Sequence, residues 1–344
     1  MKSEQTPHLI DPAHIEYGTV ASETSLHMTG GIRALQTEKG WFISPFPEAS
    51  GAPTRAIGPI PEANIRDVCS KLEVSLLGGD QVSHSDPFLP TRIWTPLLGL
   101  PRLMFDQQPA DTWGGIAIAA SEAGDDDYAM LARAVSASLR AAGIRVRDAS
   151  DCYRAQLVSA MTRFVKPGHI FKNLALLDLY LAFHSLLSEM ASARDYLATV
   201  AARRVGAPGK IDALNRLAEW VAKPANSTHT VDPLVSALLS VWEENNTDQW
   251  LHDLTAYRNL FLHREPLGTG RHRSGLCVAE RSTPWGQFFV LHFELAAVSP
   301  TSSAMDALDR FSDLHMRLCR LSDFAATQAK YKPKKPHFEV RRAP

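Results

Sequence analysis

This chain is poor in the features that usually announce a function. Its four cysteines, Cys69, Cys152, Cys277 and Cys319, are far apart and form no CxxC pair. That argues against a structural zinc site and a disulfide framework, and leaves reduced thiols in a cytoplasmic setting as the plain expectation. Net charge is -1 over 344 residues, so no global basic surface marks a nucleic-acid binder; RNA would have to meet a local patch. Long apolar runs are missing too. The most apolar stretch, Leu174 to Ala193, carries Asp178, His184 and Glu189 in an amphipathic pattern, and the first residues, Met1 to Gln5, are polar. Neither a membrane span nor a signal core is expected. Serine and cysteine nucleophile signatures do not occur, and Gly268-Thr269-Gly270 is too short for a phosphate loop. His84 has only Asp86 beside it as a second ligand. No metal and no cofactor is expected.

What is present is an ordinary globular composition, 45% hydrophobic and 21% charged, on a chain long enough for two domains. Residues 1–122 are rich in proline and glycine and weak in helical period. They read as an irregular or mixed region in which Trp41-Phe42-Ile43 and Gly115 to Ala119 are short strands, and Ile65, Val68 and Leu72 mark one helix. Pro96 and Pro101 make a regular element over Ile93 to Phe105 doubtful.

Residues 123–328 change texture. Asp125-Asp126-Asp127 caps a helix, and Ser150 is the expected cap of a second. Leu176, Leu179, Phe183, Leu186, Met190, Ala193, Leu197 and Val200 step by three and four, predicting one long helix that ends near Gly206. His184 beside this stripe reads as a packed, satisfied histidine. Shorter helices follow at Ile211 to Val221, after Asp232-Pro233, and after Thr247, where Trp250, Leu254, Tyr257 and Phe261 form the buried stripe. A hairpin turns at Thr283 to Gly286, and Ser303 caps a last helix. Residues 329–344 form a basic tail, Lys330 to Lys335 continuing to Arg341-Arg342, read as solvated. The expected class is therefore mainly α: a helical bundle with a small β-hairpin insertion, preceded by the irregular or mixed N-terminal region.

The chemistry concentrates in Tyr257-Arg258-Asn259-Leu260-Phe261-Leu262-His263-Arg264. On a helix Asn259 and His263 are co-facial, with Arg258 offset by about 100° but long enough to reach around. A histidine moves a proton at neutral pH, arginine grips a phosphate in a fork, and the amide orients either partner. RNA brings its own 2′-hydroxyl nucleophile, so the set is sufficient for phosphodiester cleavage without a metal. Arg264, Arg271 and Arg273 would add positive potential along a substrate path. One chain offers a single histidine, so two-step acid–base work needs a second copy. A bland alternative is a surface set, with Arg258 paired to Asp253 or Glu265 and His263 capping the helix.

The segment resembles the RNxxxH signature of the HEPN superfamily, with Arg258, Asn259 and His263 each matching. The long helix bearing Glu189 and Arg194-Asp195-Tyr196 resembles its supporting context, over roughly residues 125–328. This resemblance implies a helical bundle that forms a homodimer with two motifs facing one cleft. It also implies metal-independent endoribonuclease activity on RNA in toxin–antitoxin, abortive-infection or antiviral systems, with an antitoxin or regulatory partner. Glu189 and Asp195 would then support Arg258, although pairing with Arg194 or Arg203 is the structural alternative. The other function class is a non-catalytic sensor or interaction protein, or a nucleotide-binding module, in which residues 1–122 receive a ligand.

Overall fold

The computed structural model describes residues 7–10, 22–46, 55–83, 91–96, 108–243, 248–265, 267, 275–295, 297–298 and 305–335. Its first third corrects the expected class. Strands β1 (His8–Ile10), β2 (Ser22–Met28), β3 (Arg33–Thr37), β4 (Gly40–Phe46), β5 (Arg55–Ile60), β6 (Leu76–Ser83) and β7 (Thr91–Pro96) form one sheet in the order β1-β5-β4-β3-β2-β6-β7. Every neighbouring pair is antiparallel. The protein is therefore mixed α/β, not mainly α, and the sheet replaces the irregular region. Glycine concealed it. Gly78 lies inside β6, where an added Cβ would come within 2.3 Å of the Trp94 indole on β7. The missing side chain seats a tryptophan rather than breaking a strand. Helix α1 (Ile65–Leu72) buries Ile65, Val68 and Leu72 as expected.

A second correction concerns Gly115 to Ala119, which is helix, not strand. It lies in α2 (Pro109–Glu122), whose small residues permit close approach: a Cβ on Gly115 would sit 2.7 Å from the Lys334 carbonyl. Here Lys334 N donates to Gly115 O at 3.0 Å, Lys330 meets Asp125 at 2.6 Å, and the Tyr331 hydroxyl donates to Asp125 at 2.9 Å. The described start of the basic tail is thus docked on α2 and on the beginning of the next helix, with Lys330 and Lys334 paired to Asp125 and Glu122.

That helix, α3 (Asp126–Thr162), begins where Asp125 accepts from Tyr128 N. It does not restart at Ser150. Buried residues at 129, 132, 135, 139, 142, 146, 149, 153, 157 and 160 make one unbroken stripe, and Ser150 is an interior residue. A short β8 (Ile170–Phe171) leads to α4 (Leu176–Arg204), then α5 (Leu214–Val221), α6 (Pro233–Ser240) capped by Asp232, and α7 (Trp250–Asn259). Strands β9 (Leu276–Thr283) and β10 (Gly286–His292) form the expected hairpin, and β8 adds to its edge in the order β10-β9-β8. After β11 (Glu294–Leu295) and β12 (Met305–Asp306) comes α8 (Ala307–Thr327). Thr247 and Ser303 lie outside the described residues. The cap of α8 is Asp306, which accepts from Leu308 N at 2.8 Å and Asp309 N at 3.1 Å.

One continuous core joins the sheet, α3, α4, α7 and α8. At the Gly30-Gly31 turn between β2 and β3 the sheet presses closely on α3. Both residues have positive φ, 70° and 83°, and a Cβ on Gly31 would lie 2.8 Å from the Tyr153 carbonyl of α3. Gly31→Ala is expected to cost at least about 2 kcal/mol, from left-handed strain plus overpacking. Gly124 serves as a control, with φ 75° and nothing within 4 Å of its added Cβ. Urea unfolding decides: equal losses at the two positions would show that the turn does not press on α3. Among the described residues no helix is long and apolar enough to cross a membrane.

Candidate active site

The Arg-Asn-His segment ends α7, and its setting begins with the apolar side of that helix. Tyr257 and Phe261 are buried and stack at 6.0 Å between ring centroids, and Tyr257 meets Phe311 of α8 edge-on at 5.5 Å. Phe311 in turn meets Phe183 of α4 at 5.0 Å. This aromatic cluster fixes α7 against both long helices. Under it Asp253, 3% exposed, takes Arg310 of α8 at 2.5 Å, and the guanidinium lies 6.0 Å from the Tyr257 ring. Asp253 is therefore engaged below the helix rather than with Arg258.

The last turn is not α-helical. Leu260–Arg264 is a π turn, closed by Glu265 N donating to Leu260 O at 2.7 Å. The wider turn accommodates an extra residue between Phe261, held in the core, and Leu267, which is buried and whose N–H donates to His184 Nε2 at 3.3 Å. It also changes which side chains meet. A π turn brings residues five apart nearer to one face than an α-helix does. Arg258 Nη1 accordingly lies 2.9 Å from His263 Nε2 and donates to Asn259 Oδ1 at 3.0 Å. The expected co-facial pair, Asn259 and His263, is instead joined through Arg258. A guanidinium only donates, so in this contact Nε2 is the acceptor. His263 and Arg264 are exposed, while Arg258 and Asn259 are half-buried. A guanidinium, an amide and an imidazole thus meet at the surface on a rigid base.

The remaining expected site residues divide. Arg194 on α4 is 8% exposed and grips Asp195 through Nε at 2.9 Å and Nη2 at 3.0 Å, and it also donates to Thr255 Oγ1 of α7. Asp195 further accepts from Leu214 N, the start of α5. Arg194 and Asp195 brace the motif helix from below and do not reach Arg258. Glu189 is half-buried and makes no hydrogen bond or ion pair among the described residues. Arg271 and Arg273 lie outside the described residues. Nothing in the local sequence pointed to Thr255 or Arg310; only helix packing brings them to the motif.

A second polar constellation escaped sequence reasoning altogether. His27 on β2 and Asp80 on β6 are almost wholly buried, with His27 Nε2 3.4 Å from Asp80 Oδ2, near enough for attraction but off-line for a hydrogen bond. Arg92 of β7 bridges Asp80 at 2.5 Å and Asp151 of α3 at 2.8 Å, and Arg33 of β3 also meets Asp151. Antiparallel register places these strands' residues on one face; no local motif could have shown it. Burial pushes the Asp80 carboxyl up, but its His27 and Arg92 contacts outweigh that and hold it at about 2. Burial pulls the His27 pKa to about 4.

A folded pKa below the unfolded value means that the neutral ring's contribution is complete above pH 6.5 and is lost as pH falls toward 4. The stability difference between wild type and His27→Gln is therefore expected to shrink by about 3 kcal/mol between pH 7 and pH 4. Denaturant unfolding at both pH values measures it. A difference that does not change with pH would show that the ring is not held neutral.

No disulfide joins the four cysteines, and among the described residues no three histidine, cysteine, aspartate or glutamate side chains are placed to hold a metal ion. No protein-family model, curated protein or solved structure matches this chain.

Proposed function

We propose that this protein is an endoribonuclease that cleaves RNA without a metal, with Arg258, Asn259 and His263 as its active groups. The observation that carries the reading is the single guanidinium nitrogen shared between Asn259 Oδ1 and His263 Nε2. A phosphate oxygen is a stronger acceptor for that nitrogen than an imidazole. A bound phosphodiester draws Arg258 off Nε2 and frees the lone pair beside the ribose. His263 Nε2 then takes the 2′-hydroxyl proton, O2′ attacks phosphorus, and the bond to the 5′-oxygen breaks, leaving a 2′,3′-cyclic phosphate. Arg258 balances the charge added to the phosphate oxygens, and Asn259 keeps the guanidinium in line.

The departing 5′-oxygen needs a proton, and one chain has one such histidine. A homodimer supplies the second. In support, Leu177 and Leu181 stand 55% and 56% exposed on the same face of α4 as His184, which holds the chain just beyond the motif, and Leu174 in the turn before the helix is 88% exposed. A second copy covering that apolar face would bring its own motif close. The HEPN-like signature further suggests a toxin or antiviral-defence effector restrained by an antitoxin or regulatory partner.

The test is incubation of the purified protein with RNA in EDTA. Cyclic-phosphate products that vanish in His263→Ala are expected. Products of unchanged amount would sink the reading. RNA retained without cutting would leave a binding or sensing protein instead.

A further inference from the structure

The connector between α3 and α4 carries chemistry that folding does not need. Residues 163–174 hold Arg163, Lys166, His169 and Lys172 and no acid, and all four are exposed. Phe164 stands among them with φ 55° and its ring 71% exposed.

The backbone makes that placement unusual. Phe164 N donates to Met161 O at 3.1 Å and Val165 N to Ala160 O at 3.0 Å. These two bonds are the helix ending whose left-handed residue is ordinarily glycine. A side chain there is strained against its own carbonyl. Val165 already packs against the core, as the residue after such an ending commonly does. Neither conformation nor packing therefore favours phenylalanine at 164. Glu73 occupies the same left-handed position after α1, but its polar side chain exposes no apolar surface of comparable size.

The connector is also held firmly. Gly168 N donates to Val278 O at 2.9 Å, and Ile170 and Phe171 pair with Cys277 and Leu276 of β9. An exposed aromatic ring among cations on a fixed loop is what a single nucleic-acid strand recognises: a base stacks on the ring and phosphates meet the cations. Its position suits the active site. Leu177, Leu181 and His184 follow a three-and-four spacing on one face of α4, so connector and motif end lie at opposite margins of the face that a second copy would cover, and a strand held at the connector runs beside that face. The rise from Leu176 to His184 is roughly 12 Å of helix.

We propose that this connector is a single-stranded RNA platform, with Phe164 as the stacking surface and Arg163, Lys166 and Lys172 as phosphate contacts, from which the strand runs toward His263. Its role in delivering substrate rests on the ribonuclease reading; its binding does not.

The experiment uses full-length protein carrying His263→Ala, so that RNA stays intact, and fluorescence anisotropy with a labelled single-stranded RNA dodecamer. Adding Phe164→Gly is expected to weaken binding about tenfold while the melting temperature stays equal or rises, because glycine relieves the backbone. Lys166→Glu is expected to weaken binding and to flatten its salt dependence by about 0.7 in the log–log slope. Unchanged affinity in Phe164→Gly overturns the proposal. So does a lowered melting temperature, which would show that the ring packs. Phe164-dependent binding to phosphatidylserine vesicles with no RNA affinity also overturns it, in favour of a lipid surface. Phe164-dependent RNA binding by a wild-type protein that never cuts would sink the ribonuclease reading alone. Cutting with Phe164-independent affinity would sink the platform alone.

Discussion

His263→Ala is expected to lower RNA cleavage in EDTA by roughly 100- to 10,000-fold, the usual span for losing a proton-transfer group. The ring is exposed at the end of a π turn and packs nothing beneath it, so the variant should melt with wild type. Rate and stability thereby separate. Arg258→Lys is the companion. Lysine keeps the charge but loses the planar fork that grips a phosphate while one of its nitrogens meets Asn259 and His263, so cleavage is expected to fall about 10- to 100-fold. Initial rates of 2′,3′-cyclic phosphate formation measure both. A His263→Ala rate within a factor of two or so of wild type would place the chemistry elsewhere.

The second large effect lies under the motif. Asp253→Ala is expected to cost about 3 kcal/mol, because it leaves buried Arg310 with only the looser Asp313 carboxylate, 3.8 Å away. Arg310 sits against Tyr257, Tyr257 against Phe261 and Phe311, so the loss falls on the cluster that carries the motif helix. The double change Asp253→Leu with Arg310→Met is expected to recover most of it, since it removes both charges rather than one. Urea unfolding of the two singles and the double closes the cycle. A single-variant loss under about 1 kcal/mol would show that the pair is solvated and that packing alone holds α7.

The helices were legible because their evidence is local. The stripe from Leu176 to Val200, the Asp125 and Asp232 caps and the Thr283 to Gly286 turn each lie within a few residues and are found where they were expected. The same local logic misplaced the Ser150 cap, since a serine can lie inside a helix when the apolar stripe runs on past it. It misread Gly115 to Ala119 as well, where small residues serve helix contact with the tail and not a strand. The seven-stranded sheet could not be read in this way. Its strands are short, β4, β5 and β6 contain glycine, and their cohesion comes from register between segments dozens of residues apart, such as β2 with β6.

The site divides along the same line. Residue type and spacing nominated Arg258, Asn259 and His263 as a candidate set and put them at a helix end, where they lie, because those are properties of eight consecutive residues. Which of them touch was decided only by the tertiary structure. The core holds Phe261, and the His184 tether holds Leu267. The chain between those anchors takes a π turn, and that turn places Arg258, not Asn259, against His263.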